Sequence, residues 1–324
     1  MIGYYRVNYD FKNWKRLMDY LNSENYTKIH VLNRAQIIDD AFYFLLQRQF
    51  DYDDFWHLTS FLLRDINFVT WYPMFKVFES LSCMVPFHYN DDAKEKIRSM
   101  IDQLLTTIGY NYTEIYAFDL NISLREEAVK WACTLGVPAC RSKAASELNN
   151  ELENFVKNNN TIGKKWIFCY GSIAANNTIW FKMLSKFNEI NDDRFLEYLT
   201  CFENVAIISN YLKQIILGDI QLPRNTRASV FLSIVEKHAK KNAVLSIILK
   251  NLRNVTLTSN WKNDEFATLI VIITHVYSTN HMDMITNYIM QYSPMPARRA
   301  IEMKLNKRRS EYRKLYGNYG RFGY

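Results

Sequence analysis

The sequence of 324 residues predicts an all-α fold, and three observations carry that expectation. Glycines and prolines number only nine and six, fewer turn formers than the strand connections of an all-β or α/β chain usually need. Apolar residues recur three and four apart nearly throughout, the spacing of one helix face. The connections between these stripes are short, which favours antiparallel neighbours. With 48% apolar and 15% aromatic residues, the chain has ample material for a sizeable core.

The first stripe is Trp14, Leu17, Met18 and Leu21, and the second is Ile37, Ile38, Ala41, Phe42, Leu45 and Leu46. The same spacing predicts helices over 53 to 64, 71 to 84, 92 to 108, 124 to 135, 140 to 156, 163 to 174 and 178 to 188. It continues over 192 to 202, 204 to 217, 226 to 239, 242 to 252, 263 to 277, 280 to 291 and 297 to 315. Ser123-Leu124-Arg125-Glu126 has the pattern of a capping box and marks a helix start. Gly136 can end one helix in a left-handed cap, and Pro138 can open the next. Helix pairs recurring roughly every 30 to 45 residues suggest stacked hairpins, an α-solenoid of HEAT or armadillo type, although no sequence repeat is evident. Tyr4 to Tyr9 is the one short β-like run, suited to pairing with an upstream domain. The polar stretch Asn158 to Thr161 is the expected seam of any subdivision.

The net charge of +7 is a feature of the tail. Between Arg298 and Arg321 nine cations face Glu302 and Glu311, and the rest of the chain carries 31 basic and 31 acidic groups. No general field is left to draw in a polyanion, which argues against a nucleic-acid partner. The tail itself suits either phosphate contacts or, more simply, the solvated face of a closing helix. Met1-Ile2-Gly3-Tyr4-Tyr5-Arg6 lacks the apolar run of a signal peptide, the chain ends Gly320-Arg321-Phe322-Gly323-Tyr324 without a lipid-anchor signal, and no apolar stretch is long enough to cross a bilayer. If the protein belongs to the secretory pathway, its targeting information is expected upstream.

Hydrolytic and metal chemistry find little support. None of His30, His57, His88, His238, His275 and His281 is followed by glutamate, so no His-Glu-x-x-His zinc helix exists in this sequence. Asp39-Asp40 and Asp51-Tyr52-Asp53-Asp54 are clustered carboxylates, read as helix-start and solvent-facing charges. Arg6 and Asp10 offer either a pair at a domain junction or plain surface charges. His238 is read as a helix-terminal charge, and Ser172 lacks the flanking glycines of a nucleophile elbow. Cys133 and Cys140 have six residues between them across the Gly136–Pro138 turn, an arrangement that suits a disulfide. Spacing alone equally allows five buried, reduced cysteines. Sequons occur at Asn25, Asn111, Asn121, Asn159, Asn176 and Asn254, in a chain rich enough in asparagine for several to arise by chance.

The opening run Gly3-Tyr4-Tyr5-Arg6-Val7-Asn8-Tyr9-Asp10, with Asn13-Trp14 and then Asn33-Arg34-Ala35-Gln36-Ile37-Ile38-Asp39-Asp40-Ala41-Phe42, resembles the start of the C-terminal helical domain of the aminopeptidase N family of zinc metallopeptidases. Ala297-Arg298-Arg299-Ala300-Ile301-Glu302 resembles the start of that domain's last helix, so the likeness covers the whole chain as a single domain, residues 1–324. The resemblance implies a bowl-shaped helical superhelix that caps a catalytic domain and encloses its peptide cavity. It implies bonds between Cys133 and Cys140 and between Cys169 and Cys201, with Cys83 left over, and a junction motif comprising Tyr5, Arg6, Asn8, Tyr9 and Asp10. No catalytic or metal-ligating residue carries over onto this chain, since zinc and the acid-base group belong to upstream domains of the parent. The expected partners are that catalytic domain and peptide substrates, in an extracellular or cell-surface setting, with no activity from this chain alone. A different class of function, a stand-alone non-catalytic solenoid that binds a peptide or protein, is the alternative.

Overall fold

The computed structural model describes residues 5–84, 92–110, 120–154, 165–190, 192–217, 220, 222–254, 261–276 and 278–319. Every regular element among them is helical, and no strand occurs among the described residues. The chain divides into two compact units, Met1–Val137 with Lys314–Tyr324, and Pro138–Arg313. The polar stretch expected to form a seam, Asn158 to Thr161, lies outside the described residues.

The first unit holds α1 (Phe11–Leu21), α2 (Val31–Leu46), α3 (Tyr52–Thr59), α4 (Phe68–Met84), α5 (Asp92–Ile108) and α6 (Leu120–Leu135). Asp10 caps α1 by accepting the Asn13 amide at 2.9 Å, and Trp14, Met18 and Leu21 bury the expected stripe. Asp51 caps α3 in the same way and Asp53 and Asp54 fill its first turn, where carboxylates meet the positive helix end. The helix expected over 53 to 64 stops at Thr59 and tightens into a 3₁₀ turn, Ser60–Leu63. Contacts run between helices one or two places apart, α1 with α3, α2 with α3 and α4, α4 with α6, and α5 with α6. Trp71, Phe55, Phe61 and Phe78 are fully enclosed in this core.

One sequence expectation is corrected here. The capping-box pattern at Ser123 does not start a helix, because α6 already begins at Leu120 and Ser123 lies within it. A cap contributes only about 1 kcal/mol, and it loses to a stripe through Leu124 and Ala128 that buries more. Arg125 from the same pattern instead donates to the carbonyls of Ile108 (3.1 Å) and Gly109 (3.2 Å), closing the end of α5. The α6 terminus is as expected. Gly136 sits at φ +82°, its amide bonds to Cys133 O, and the Val137 amide bonds to Ala132 O, a Schellman end.

The second unit holds α7 (Pro138–Glu153), α8 (Asn177–Ile190), α9 (Arg194–Leu199), α10 (Val205–Leu217), α11 (Arg224–His238), α12 (Asn242–Asn251), α13 (Trp261–His275), α14 (Thr279–Tyr292) and, as far as Arg313, α15 (Met295–Tyr319). Neighbour contacts again dominate: α8 with α9, α10 with α11 and α12, α11 with α13, and α12 with α14. The helix expected over 163 to 174 is a π-helical turn, Trp166–Tyr170, packed on α7. It ends at Gly171, where a Cβ would stand 2.5 Å from Ala144 O and 2.8 Å from Leu148 Cβ. Only a residue without a side chain lets the turn approach α7 this closely. Phe168 stacks on Tyr198 at 5.4 Å and meets Phe195 at 5.0 Å, which fixes the turn against α9.

Candidate functional site

Residues 5–10, which hold the expected junction motif, lie against α2 without regular structure. The Arg6 guanidinium donates to Asp39 Oδ2 at 2.7 Å and Asp40 Oδ1 at 3.1 Å, and sits 4.6 Å over the Tyr43 ring. Asp40 also accepts the Val7 amide (3.1 Å) and the Gln36 side chain (2.8 Å). Asn8 bridges from Gln49 (3.3 Å) to the Trp14 indole N–H (3.0 Å), and Tyr9 meets Trp14 edge-on at 5.0 Å. Burial and the nearby Asp40 carboxylate both raise the Tyr9 phenol above its ordinary value. Tyr5 remains 58% exposed.

This arrangement overturns two readings. Asp40 is no solvent-facing charge: it is 2% exposed in the middle of α2 and organises the entering segment, while Asp39 stays outside. Arg6 and Asp10 do not pair with each other, because Arg6 goes to α2 and Asp10 caps α1. A second ion pair lies deeper, Arg34 Nε to Asp65 Oδ2 at 3.0 Å, with Arg34 also donating to Ile29 O at 2.7 Å. Nothing in the local sequence distinguishes Asp40 from Asp39. Only its position on the inner face of α2 does.

In the second unit Cys169 of the π turn is bonded to Cys201, just after α9, with Cα atoms 5.2 Å apart. Cys133 and Cys140, both fully buried, are each disulfide-bonded as well. Beside Cys201, Lys237 Nζ donates to Thr200 Oγ1 at 2.7 Å and to Cys201 Sγ at 3.2 Å. Burial pulls the Lys237 ammonium down to about 8. His238 is 3% exposed, and its Nε2 lies 2.7 Å from the Thr200 carbonyl. A carbonyl only accepts, so Nε2 carries the proton. Nδ1 is then an acceptor with no hydrogen-bond partner among the described residues. Burial, reinforced by Lys241, Lys237 and Lys240, lowers the imidazole to about 3 against the opposing Thr200 bond. His238 is therefore neutral, not the helix-terminal charge its flanking lysines suggest. Ser172 is enclosed and donates to Cys169 O at 2.9 Å, a structural role.

Part of the basic tail is also structural. Arg308, 8% exposed, donates to Val276 O and Thr274 O, both at 3.1 Å, and Arg298 donates to Met290 O at 2.8 Å. Arg309 reaches Asp283 at 3.1 Å. These cations close the preceding helices, which leaves Arg299, Lys307 and Arg313 as the solvated face.

Among the sequons, Asn25 and Asn176 are exposed outside the α-helices, and Asn121 is exposed in the first turn of α6. Asn111 and Asn159 lie outside the described residues, and Asn254 ends the 3₁₀ turn Leu252–Asn254. Among the described residues of the second unit, one cavity of about 390 Å³ opens beside Asp283 and Arg309, and another of about 230 Å³ beside Arg141 and Tyr170. Neither joins a nucleophile to a base. Among the described residues no group of three or more His, Cys, Asp or Glu side chains is placed to hold a metal ion, and no helix is long and apolar enough to cross a membrane. The described residues do not fit a zinc site.

A family model described as the ERAP1-like C-terminal domain matches residues 1–310. The chain belongs to this family. Aminopeptidase N of Plutella xylostella is 27% identical over 263 residues, 78% of this chain and 27% of that protein. Aminopeptidase N of Homo sapiens is 23% identical over 295 residues, covering 86% and 30% respectively. The thyrotropin-releasing hormone-degrading ectoenzyme of Rattus norvegicus is 24% identical over 242 residues, covering 69% and 22%. The chain thus spans under a third of the length of these curated relatives.

Proposed function

We propose that this chain is the C-terminal, cavity-capping part of a zinc aminopeptidase that removes N-terminal residues from peptides. The observation that carries this reading is the family match over residues 1–310, with relatives named as aminopeptidases of which the chain covers under a third. The metal and its acid-base partner belong to an upstream catalytic domain, because this sequence has no His-Glu-x-x-His helix. Stacked helical hairpins form a solenoid whose surface encloses the peptide cavity. The segment Tyr5–Asp10 is the junction: it is fastened to α2 through Asp40 and presents Tyr5 outward. Two disulfides and relatives named as membrane or ectoenzyme aminopeptidases support an extracellular or cell-surface setting, with Asn25 and Asn176 as accessible glycan acceptors.

The test is hydrolysis of aminoacyl fluorogenic substrates by the purified chain with added zinc, followed by mixing with a separately produced aminopeptidase N catalytic portion. No turnover alone, then measurable association and an altered peptide-length preference, is the expected result. Turnover by the chain alone overturns the reading. Failure to associate in any measured condition overturns it too and favours a stand-alone peptide-binding solenoid.

A further inference from the structure

We propose that the Cys169–Cys201 bond is a thiol–disulfide exchange site in which Lys237 holds Cys201 as the departing thiolate. The observation is an ammonium placed against a sulfur. Lys237 Nζ lies 3.2 Å from Cys201 Sγ and 2.7 Å from Thr200 Oγ1, and no carboxylate among the described residues is within ion-pair distance of it. The charged groups around it come from three elements. Glu197 on α9 is directed to Lys165 at 3.8 Å, Glu236 is exposed on α11, and Lys165, at the start of the π turn, is a like charge. His238 is neutral and turned to the Thr200 carbonyl.

The consequence follows from comparing the two redox states. With the bond intact, a largely desolvated ammonium faces a neutral disulfide sulfur, a weak acceptor that offsets little of the cost of burying the charge. With the bond reduced, the same ammonium faces a thiolate at hydrogen-bond distance. Stabilising the reduced form raises the tendency to be reduced, and a nearby cation lowers a thiol's pKa. Lys237 therefore biases this bond toward reduction. Cys169 and Cys201 are 5% and 6% exposed, which slows attack but does not move the equilibrium.

The reductant is a low-molecular-weight thiol such as glutathione. Its thiolate attacks Cys169 Sγ, a new S–S bond forms there, and the Cys169–Cys201 bond breaks with its electron pair leaving on Cys201, beside Lys237. A second thiolate attacks the mixed disulfide at the glutathione sulfur and releases Cys169, which takes a proton. Two electrons pass from two glutathione thiols, which leave as glutathione disulfide. One of their protons ends on Cys169 and the other enters solvent.

The experiment equilibrates the intact oxidised chain in graded glutathione buffers at about pH 6 and about pH 7. It is quenched with acid and alkylated, and peptide mass spectrometry reads Cys169 and Cys201. Because one proton is released on forming the thiolate, the reduction constant should rise about tenfold over that pH unit. Lys237→Gln should lower the constant at pH 7 by about tenfold or more, and Lys237→Arg should restore most of it. A pH-independent constant in the unmodified chain means both thiols are protonated and overturns the proposal without needing a variant. Equal or easier reduction of Lys237→Gln also overturns it, being the result if Lys237 merely fills space.

Discussion

Acidification should destabilise the second unit through His238, and the size of the effect can be worked from its surroundings. The folded imidazole is lowered to about 3, chiefly by burial, while an unfolded histidine titrates at about 6.5. Between these values the unfolded chain takes up a proton that the folded chain refuses. Stability is therefore full above about pH 7, falls as pH drops through 6.5, and levels off near 3. From pH 7.5 to pH 5 the loss is about 2 kcal/mol. That figure depends almost wholly on the unfolded value as long as the folded one stays below about 4. The assay is urea unfolding followed by circular dichroism at several pH values with the disulfides intact, on the unmodified chain and on His238→Gln. Glutamine retains an N–H donor for the Thr200 carbonyl but does not titrate. Its transition should lose about 2 kcal/mol less between the two pH values. His281, also lowered by burial, acts in the same direction in both proteins and drops out of the difference. Parallel pH profiles for the two proteins would show that His238 accepts its proton in the folded state, and the reasoning would fail.

Two further perturbations test the packing. Gly171→Ala places a methyl 2.5 Å from Ala144 O, so α7 and the π turn must separate, with an expected loss of about 1 to 3 kcal/mol in chemical unfolding; an unchanged midpoint would mean the approach is looser than described. Asp40→Ala leaves Arg6, the Val7 amide and Gln36 without their shared acceptor, at a cost of about 2 to 4 kcal/mol. Trypsin should then cut at Arg6 faster than in the unmodified protein, whereas Asp39→Ala, removing an exposed partner, should change the rate little.

The sequence by itself determined the helical class, most of the helix positions and the Gly136–Pro138 turn. These follow from local rules: a 3.6-residue period, a left-handed glycine, a proline at the first helical position. It also determined the family, through the opening motif, and the lack of a zinc helix. What it misjudged was the environment of charge. Asp40 and Asp39 are adjacent identical residues, and the 100° rotation between them on α2 sends one inward to Arg6 and Val7 and leaves the other in water. His238 sits among lysines that suggest a helix-end cation. Only the packing of α11 against the Thr200 turn makes it neutral, and the same packing aims Lys237 at Cys201. The π turn was illegible for a similar reason, since its geometry comes from Gly171 meeting α7 and Cys169 meeting Cys201, contacts far apart in the chain. Periodicity reports which face of a helix is apolar. Whether a polar side chain on that face finds a partner depends on a neighbouring element, and that is decided only when the helices pack.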